Sequence, residues 1–305
     1  MSRKLLSVLL LLLLALPLTA LAQDDEGDSE EPSIFHLRGT KVMQIGEYPH
    51  SFSYDGTNAV LTGLPGFFEL HINADEDNGI MFARFYVEDY QLDKDTLLEG
   101  EHQITVIYPL FGGEVMPDYW EGGIADQVLL HGDSGQEAPV LPTVYNEVAS
   151  WGPALVFVDG EQIQISDKPL GAQAGHMMYS NEVRDPETGF VAGASPDEPY
   201  NPMAPSEAQP YDEEAVLLHL VVHTEERDPD AFPPFTSFIH FNFLEVEEIE
   251  PTDAVMELPI LTFEDAAEMS DEEVQEYIDT VMSVIDSIEE ELNAMEMESE
   301  ESSDS

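Results

Sequence analysis

The chain has 305 residues, with 64 acidic and nine basic side chains, a formal net charge of −55 at pH 7, and no cysteine. A chain this acidic is repelled by phosphates, so nucleic acid is an implausible partner. The absence of cysteine rules out disulfides, but a chain of this length can bury a sizeable core without them.

The N-terminus has the pattern of a secretory signal peptide. Arg3 and Lys4 precede an apolar run over residues 5–14, and a small-x-small cleavage sequence ends at Ala22. The run is too short for a spanning helix, which needs about 20 residues. We therefore expect residues 1–22 to be removed and the mature protein to be secreted or periplasmic, with no membrane span.

The charge of the mature chain is extreme. Cleavage after Ala22 leaves seven basic residues against 64 acids, a formal charge of −57. Such self-repulsion destabilises a compact state in dilute buffer, whereas 1 M salt shortens the Debye length to about 3 Å. The composition indicates adaptation to high salt, and the alternative is a cation-binding protein or an acidic-matrix protein.

The body of the chain predicts strands. After an acidic lead-in over residues 23–33, which lacks the apolar content needed to fold, short runs alternate between apolar and polar residues, the period of a half-buried strand. These runs lie at 67–73, 80–87, 102–108, 127–131, 154–165, 215–223 and 237–246. Asp159-Gly160 is a two-residue hairpin signal. We predict a mainly β fold over 34–262, an antiparallel β-sandwich or barrel-like single domain.

One connection is unusually long. Residues 185–214 contain six prolines, and loops of this length are usually functional or disordered. We interpret this segment as a surface loop.

The C-terminus changes to a helical period. Ser270 and Glu273 form a capping box, which belongs to an acidic amphipathic helix predicted over 263–298 and followed by a solvated tail over 299–305. An apolar heptad stripe runs along it: Val274, Ile278, Val281, Ile285, Ile288, Leu292 and Met295. Through 274–295 the helix could form a coiled-coil homo-oligomer, dock into a partner protein, or pack on its own domain. Packing on the domain or in a partner's groove is favoured, because the acidic flanks offer no cross-helix ion pairs.

Histidines supply the main candidate chemistry. His219 and His223 flank three aliphatic residues on a predicted strand, where they share a face but lie about 13 Å apart. They cannot both bind one ion. If the strands at 215–223 and 237–246 pair as a hairpin, His240 lies opposite Val221 and diagonal to both histidines, close enough for one of them to share an ion with it.

The candidate metal ligands are therefore four histidines that do not form a recognised motif: His219, His223, His240 and His176. Imidazole suits zinc or copper, and a neighbouring Met178 favours copper. The alternative is that the histidines are ordinary polar side chains on strand faces. A calcium site using the loop acids Asp228 and Asp230 is a further, weaker prediction.

An internal echo links two of these regions. HMMYSNEVRDP and HLVVHTEERDP both read His, five residues, Glu, one residue, Arg-Asp-Pro, which places Arg184 and Arg227 in matching settings. Asp-Pro commonly begins a turn, so each motif is interpreted as a strand end whose arginine ties down an acidic loop by ion pairs. The alternative is a pair of pseudo-symmetric ligand-binding loops.

No motif indicates a reaction. We expect an exported, non-enzymatic binding or scaffolding domain, and the alternative is a metal-dependent protein or enzyme that uses the histidines.

Overall fold

The computed structural model describes residues 33–58, 60–113, 122–136, 140–202 and 212–303. They belong to one compact unit, Ser33–Ser305. The strands are β1 Ile34–Gln44, β2 Leu61–Leu64, β3 Gly66–Asn73, β4 Asn78–Gln91, β5 Leu97–Tyr108, β6 Ile124–Leu130, β7 Val144–Val158, β8 Glu161–Ile163, β9 Gln173–Glu182, β10 Asp212–His223 and β11 Phe238–Glu248. The helices are α1 Asp253–Met256, α2 Phe263–Glu268 and α3 Asp271–Ser303. The predicted signal peptide, 1–22, and the lead-in up to residue 32 lie outside these ranges.

Eight strands close into an antiparallel ring in the order β1-β3-β4-β5-β7-β9-β10-β11, because β11 pairs back with β1. Leu37 lies at the closure, opposite Leu70 on one side and Glu248 on the other. Strands β2, β6 and β8 add shorter pairings to β1 and β7. The predicted mainly β, antiparallel fold is confirmed. Of the two predicted architectures, sandwich and barrel-like domain, the closed ring corresponds to the barrel-like one.

Two hairpins join strands predicted from the alternating runs, one of them at the Asp159-Gly160 signal. Strands β3 and β4 pair from Gly66 to Asn73, and β7 turns into β8 with Val158 opposite Glu161. Asp159 and Gly160 have positive φ angles of 50° and 82°, which is the backbone that a two-residue turn of this type requires.

The interior of the ring is filled with side chains from one face of every ring strand. Aromatic rings dominate its centre: Phe85 and Phe241 have ring centroids 4.2 Å apart, and Phe68 lies 5.4 Å from Phe243. Gly39 makes this packing possible, since a Cβ there would lie 2.8 Å from the Cβ of Phe243. The interior is therefore a packed hydrophobic core.

The outer face of strands β3, β4, β5 and β7 is covered by the C-terminal helices. The stripe of α3 buries Ile278, Val281, Ile285 and Ile288 in one cluster with sheet residues. The sheet side of this cluster comprises Phe67, Ile80, Phe82, Ile107, Leu155 and Phe157. Of the alternatives for the stripe, packing on its own domain is thus the one observed, and the covered residues are not available to a coiled-coil partner.

The helical segment predicted over 263–298 is divided in two. Ser270 caps α3 through the predicted box: its side chain accepts from the Glu273 backbone N–H, and its own backbone N–H donates to the Glu273 carboxylate at 2.8 Å. The box starts a new helix. Thr262 and Asp265 form an equivalent box that starts α2.

One buried arginine supplements the apolar contacts of α3. Arg84, on β4, is 5% exposed and donates to Asp286 at 2.6 Å and to Glu289 at 2.9 Å. The hydroxyl of Tyr86 also donates to Glu289, at 2.6 Å. Charge-assisted bonds of this kind fix orientation as well as adding energy, so they set the register of α3 on the sheet.

The outer face of β9, β10 and β11 is covered by loops. Phe52, Leu141 and Val191 pack in one buried cluster with Val221 of β10 and Phe238 of β11. Val191 belongs to the long Pro-rich segment, 185–214, whose described part is therefore packed against the sheet at this point. Residues 203–211 of that segment lie outside the described residues.

Within the described residues, no helix combines the length and the apolar character that crossing a membrane requires.

Candidate histidine site

Three predicted histidines lie together on the outer face of β9–β11, beneath the loops. Val221 pairs with His240 on β11, which is the predicted register, and with His176 on β9. His219 lies two residues along β10 on the same face, opposite Met178 and Asn242. The hairpin therefore brings His176, His219 and His240 into one buried group, with exposed fractions of 4%, 4% and 1%.

The closest contact in this group is between two imidazoles. The Nε2 atoms of His219 and His240 are 2.7 Å apart, and Nδ1 of His240 lies 2.8 Å from the carbonyl oxygen of Ser51. A carbonyl only accepts, so Nδ1 of His240 carries the proton. A neutral His240 then has a lone pair on Nε2 and accepts the Nε2–H of His219. The geometry thus gives a chain of hydrogen bonds in which His219 donates to His240 and His240 donates to the carbonyl oxygen of Ser51.

His176 extends the group toward β7. Its Nδ1 donates to the carbonyl oxygen of Ser150 at 3.1 Å, and its ring is stacked on Trp151 with centroids 4.1 Å apart. The ring centroid lies 5.8 Å from that of His219. The Nε2 atom of His176 is buried without a hydrogen-bond partner in the described part of the chain, so it presents an unused lone pair.

A fourth histidine was missed by sequence reasoning. His131 follows β6, is 5% exposed, and its ring centroid lies 6.4 Å from that of His176. It precedes the glycine of a short 3-10 turn, Gly132–Ser134, and has a positive φ of 60°. The only sequence signal was a histidine at a glycine-rich turn, and periodicity cannot place such a residue.

Burial holds the group in the neutral state. It lowers the pKa of His176 to about 3, with a smaller contribution from His131. Burial, followed by the neighbouring His240, lowers the pKa of His219 well below its usual 6.5. Burial and the charge of Arg184 do the same for His240. Each imidazole is thus a hydrogen-bonding group of the core rather than a cation at neutral pH.

His223 lies apart from the other three. Its ring contacts Phe235, with centroids 4.0 Å apart, and is stacked on Phe238 at 5.6 Å, while Nδ1 lies 2.8 Å from the carbonyl oxygen of Thr224. As the spacing along the strand predicts, His219 and His223 are too far apart to share one set of neighbours.

The space beside the group is small. A cavity of about 10 Å³ is bounded by His219, His240 and Arg184, among others, and a single water needs at least about 10–15 Å³. Across the described residues, no group of three or more His, Asp or Glu side chains is arranged to hold a metal ion. A zinc or copper ion on these histidines therefore stays a prediction, one that needs the rings to rearrange.

The two arginines of the internal echo have different surroundings. Arg184 is 1% exposed and donates to the carbonyl oxygens of Ser53 and Gly189, which ties two covering loops to the histidine face. Burial lowers its pKa to about 10. Arg227 is exposed and lies over the ring of Phe235 at 4.2 Å. Both contact loop residues, Arg184 through carbonyl oxygens and Arg227 through an aromatic ring, rather than through the predicted ion pairs with acidic loops.

The predicted calcium residues belong to a turn. One carboxylate oxygen of Asp228 accepts the backbone N–H of Asp230 at 2.9 Å, and the other accepts the hydroxyl of Tyr48 at 2.7 Å. Both oxygens of Asp228 are thus engaged in holding the loop, and calcium at Asp228 and Asp230 stays a prediction.

Asp228 also lines a surface cleft of about 820 Å³, beside β10 and β11. Of the seven basic residues in the described ranges, Arg38, Arg84 and Arg184 are buried. Three of the remaining four, Lys94, Lys168 and Arg227, line this cleft. Six acids also line the cleft: Asp93, Asp95, Asp167, Glu225, Glu226 and Asp228. Three of the four unburied described bases are therefore gathered at one place, among acids that outnumber them.

Comparison with protein-family models, with curated proteins and with solved structures finds no match to this chain.

Proposed function

We propose that the protein is an exported, non-enzymatic binding or scaffolding β-domain adapted to high salt, and that its ligand occupies the cleft lined by Lys94, Lys168 and Arg227. The observation that carries this proposal is the gathering of three of the four unburied described bases around one cleft of about 820 Å³.

The chemistry of the cleft suits a ligand that carries carboxylate groups. Lys94 pairs with Asp95 and Lys168 with Glu225, each at 3.4 Å between atoms that are partly or largely exposed. Such pairs contribute at most about 1 kcal/mol each, so a ligand carboxylate can replace the protein's own. The guanidinium of Arg227 is oriented by its stacking on Phe235.

The test is a binding titration of residues 23–305 with a carboxylated polysaccharide and with its neutral counterpart, in 2 M KCl. We expect binding of the carboxylated form alone, weakened by at least about tenfold in a Lys94→Gln/Arg227→Gln double variant, since each charge-assisted contact contributes about 1.5–3 kcal/mol. Lys41→Gln, at an exposed lysine outside the cleft, is the matched control. Equal binding by the double variant and the control contradicts the proposal.

Adaptation to salt has its own test. Screening shortens from roughly 14 Å at 0.05 M to roughly 2 Å at 3 M salt, and the repulsion among the acids falls with it. We expect residues 23–305 to unfold at low ionic strength and to regain structure as salt rises. A melting temperature unchanged across this range contradicts the adaptation.

The helix contributes to the proposed function through its outer, acidic side. Its apolar stripe is covered by the sheet, so docking through 274–295 involves the exposed acids of α3 and a partner protein that supplies positive charge.

A second candidate, a metal-dependent protein, is favoured by the 2.7 Å contact of His219 with His240 and by the unpartnered Nε2 of His176. Calorimetric titration with zinc and copper tests it. Binding that His240→Ala abolishes and His223→Ala leaves intact supports this candidate, and binding unchanged by His240→Ala contradicts it.

A further inference from the structure

A second pair of histidines lies elsewhere on the ring, on the outer face of β1 and β3. His36 and His71 are directly opposite each other in the ladder. Their Nδ1 atoms are 3.2 Å apart, and their ring centroids are 5.4 Å apart. His71 is buried at 6% exposure, whereas His36 is half-buried. Unlike the histidines of β9–β11, this pair is therefore accessible from one side.

His71 is held in one orientation by a buried carboxylate. Its Nε2 lies 2.8 Å from Glu69 Oε2, and Arg38 donates to Glu69 Oε1 through Nε at 2.7 Å. Glu69, which is 1% exposed and paired with Arg38, accepts hydrogen bonds only. The proton of a neutral His71 therefore lies on Nε2, and the lone pair of Nδ1 points toward Nδ1 of His36.

This arrangement matches the surroundings of metal-bound histidine in proteins. There the ring nitrogen that does not bind the metal usually donates to a carboxylate, which fixes the tautomer and makes the other nitrogen a better ligand. The two Nδ1 atoms are 3.2 Å apart. With Zn–N distances of about 2.0–2.1 Å, the N–Zn–N angle would be about 100°, close to tetrahedral.

We propose that the Nδ1 atoms of His36 and His71 bind a zinc ion at the outer face of β1 and β3, with Glu69 and Arg38 orienting His71. The two nitrogens already have the separation that zinc requires, and water molecules fill the other coordination positions of the ion from the open side at His36.

A nearby acid balances the charge of the ion. The backbone N–H of Ile249 donates to the carbonyl oxygen of His36 at 2.9 Å, which brings the next residue, the exposed Glu250, beside the pair. Burial and His71 lower the pKa of His36, and the charge of Glu250 opposes them. The same negative charge favours a cation between the two rings.

The site is tested by calorimetric titration of residues 23–305 with zinc chloride, in 1 M KCl with excess magnesium chloride. Magnesium occupies surface carboxylates, because it prefers oxygen ligands and zinc prefers imidazole. We expect one equivalent of zinc to bind. His36→Asn removes one of the two nitrogen ligands and should weaken binding by at least about tenfold.

Two further variants make the result specific. Glu250→Gln, at an exposed side chain, should weaken zinc binding by a smaller factor without affecting the fold. His102→Asn replaces a histidine that is paired with Asp159 on another part of the surface and should leave the affinity unchanged. The proposal is overturned if no zinc binds, if His36→Asn binds like the parent protein, or if binding is lost in His240→Ala but not in His36→Asn.

Discussion

The two covered outer faces of the ring are closed by different chemistry. Under α3, aliphatic and aromatic side chains meet from both sides, with Arg84 as the one buried cation described there. Under the loops, the sheet presents His176, His219 and His240, and Arg184 ties the covering segments to it. The first face is stabilised mainly by burial of apolar area, whereas the second combines an apolar cluster with hydrogen bonds of Arg184 and of imidazoles that must stay neutral.

This difference predicts that the two faces fail under different conditions. Contacts between apolar side chains do not depend on pH, whereas a buried imidazole is destabilised when it takes up a proton. Changes to α3 should therefore affect stability at any pH, and acid should act first on the histidine face.

The largest effect is expected from removing the helical cover. Deleting residues 264–305 exposes the sheet residues beneath α3, including Phe67, Phe82 and Phe157. Each buried stripe residue contributes about 1.5–3 kcal/mol, so together they match the whole stability of a typical domain, about 5–15 kcal/mol. We expect the truncated protein to aggregate, which light scattering measures.

A single substitution gives a graded form of the same test. Ile285 has no exposed surface, so Ile285→Ala should lower the free energy of unfolding by about 2–5 kcal/mol. As a control, Glu291→Ala, at an exposed position of α3, should change it by less than about 0.5 kcal/mol. A truncated protein that stays monomeric with an unchanged melting temperature would show that α3 does not seal this face.

Acid should have the next largest effect, through the histidine face. The folded-state pKa of His176, about 3, lies below its usual 6.5, so below pH 6.5 the unfolded chain binds more protons. The contribution of each such neutral histidine to the free energy of unfolding is complete above about pH 6.5. It is lost as the pH falls toward 3, by about 1.4 kcal/mol per pH unit. His219 and His240 act in the same direction. Denaturant titrations at pH 7.5, 6.5 and 5.5 in 2 M KCl measure the slope.

A variant isolates one histidine from this slope. His176→Phe keeps an aromatic ring against Trp151 but cannot take up a proton, so the slope should fall by about 1.4 kcal/mol per pH unit. His102→Asn should leave it nearly unchanged below pH 6. Stability that does not depend on pH between 7.5 and 5.5 would mean that these histidines take up protons equally in the folded and unfolded states, which contradicts their predicted neutrality.

The smallest effect is expected at Arg84. Arg84→Met removes the ion pairs with Asp286 and Glu289 but keeps an apolar side chain beneath α3. Because Asp286 is 63% and Glu289 21% exposed at the side chain, the loss should be about 1–2 kcal/mol, below the value for a fully buried pair. Lys41→Met, at the exposed pair with Glu245, should cost less than about 0.5 kcal/mol. Equal melting temperatures for the two variants would show that Arg84 does not fix α3.

The helix-covered face was largely predictable, because periodicity reports which side of an element is buried. The heptad stripe and the Ser270 cap follow from spacing alone, as does the register that places His240 opposite Val221. Closure of the ring was not predictable, since pairing of β1 with β11 depends on contacts more than 190 residues apart, as at Met43 and Asn242, for which sequence carries no local signal.

The polar face and the second histidine pair were less accessible to sequence reasoning. His131 reaches the cluster from a turn, and His36 meets His71 only once β1 and β3 are aligned. A histidine on a strand looks the same in sequence whether it faces solvent, a second histidine or a carboxylate such as Glu69. What distinguishes these cases is burial and cross-strand register, which the fold determines.

The neutral state of the buried histidines, on which the stability of the loop-covered face depends, is measured directly by NMR titration of the imidazole Cε1–H resonances. In 2 M KCl between pH 8 and 5, the resonances of His176, His219 and His240 should not shift, while His102, whose pKa is raised by its hydrogen bond with Asp159, should titrate with a midpoint above 6.5. Assignments come from single histidine variants. Midpoints near 6.5 for the three buried histidines would contradict the account.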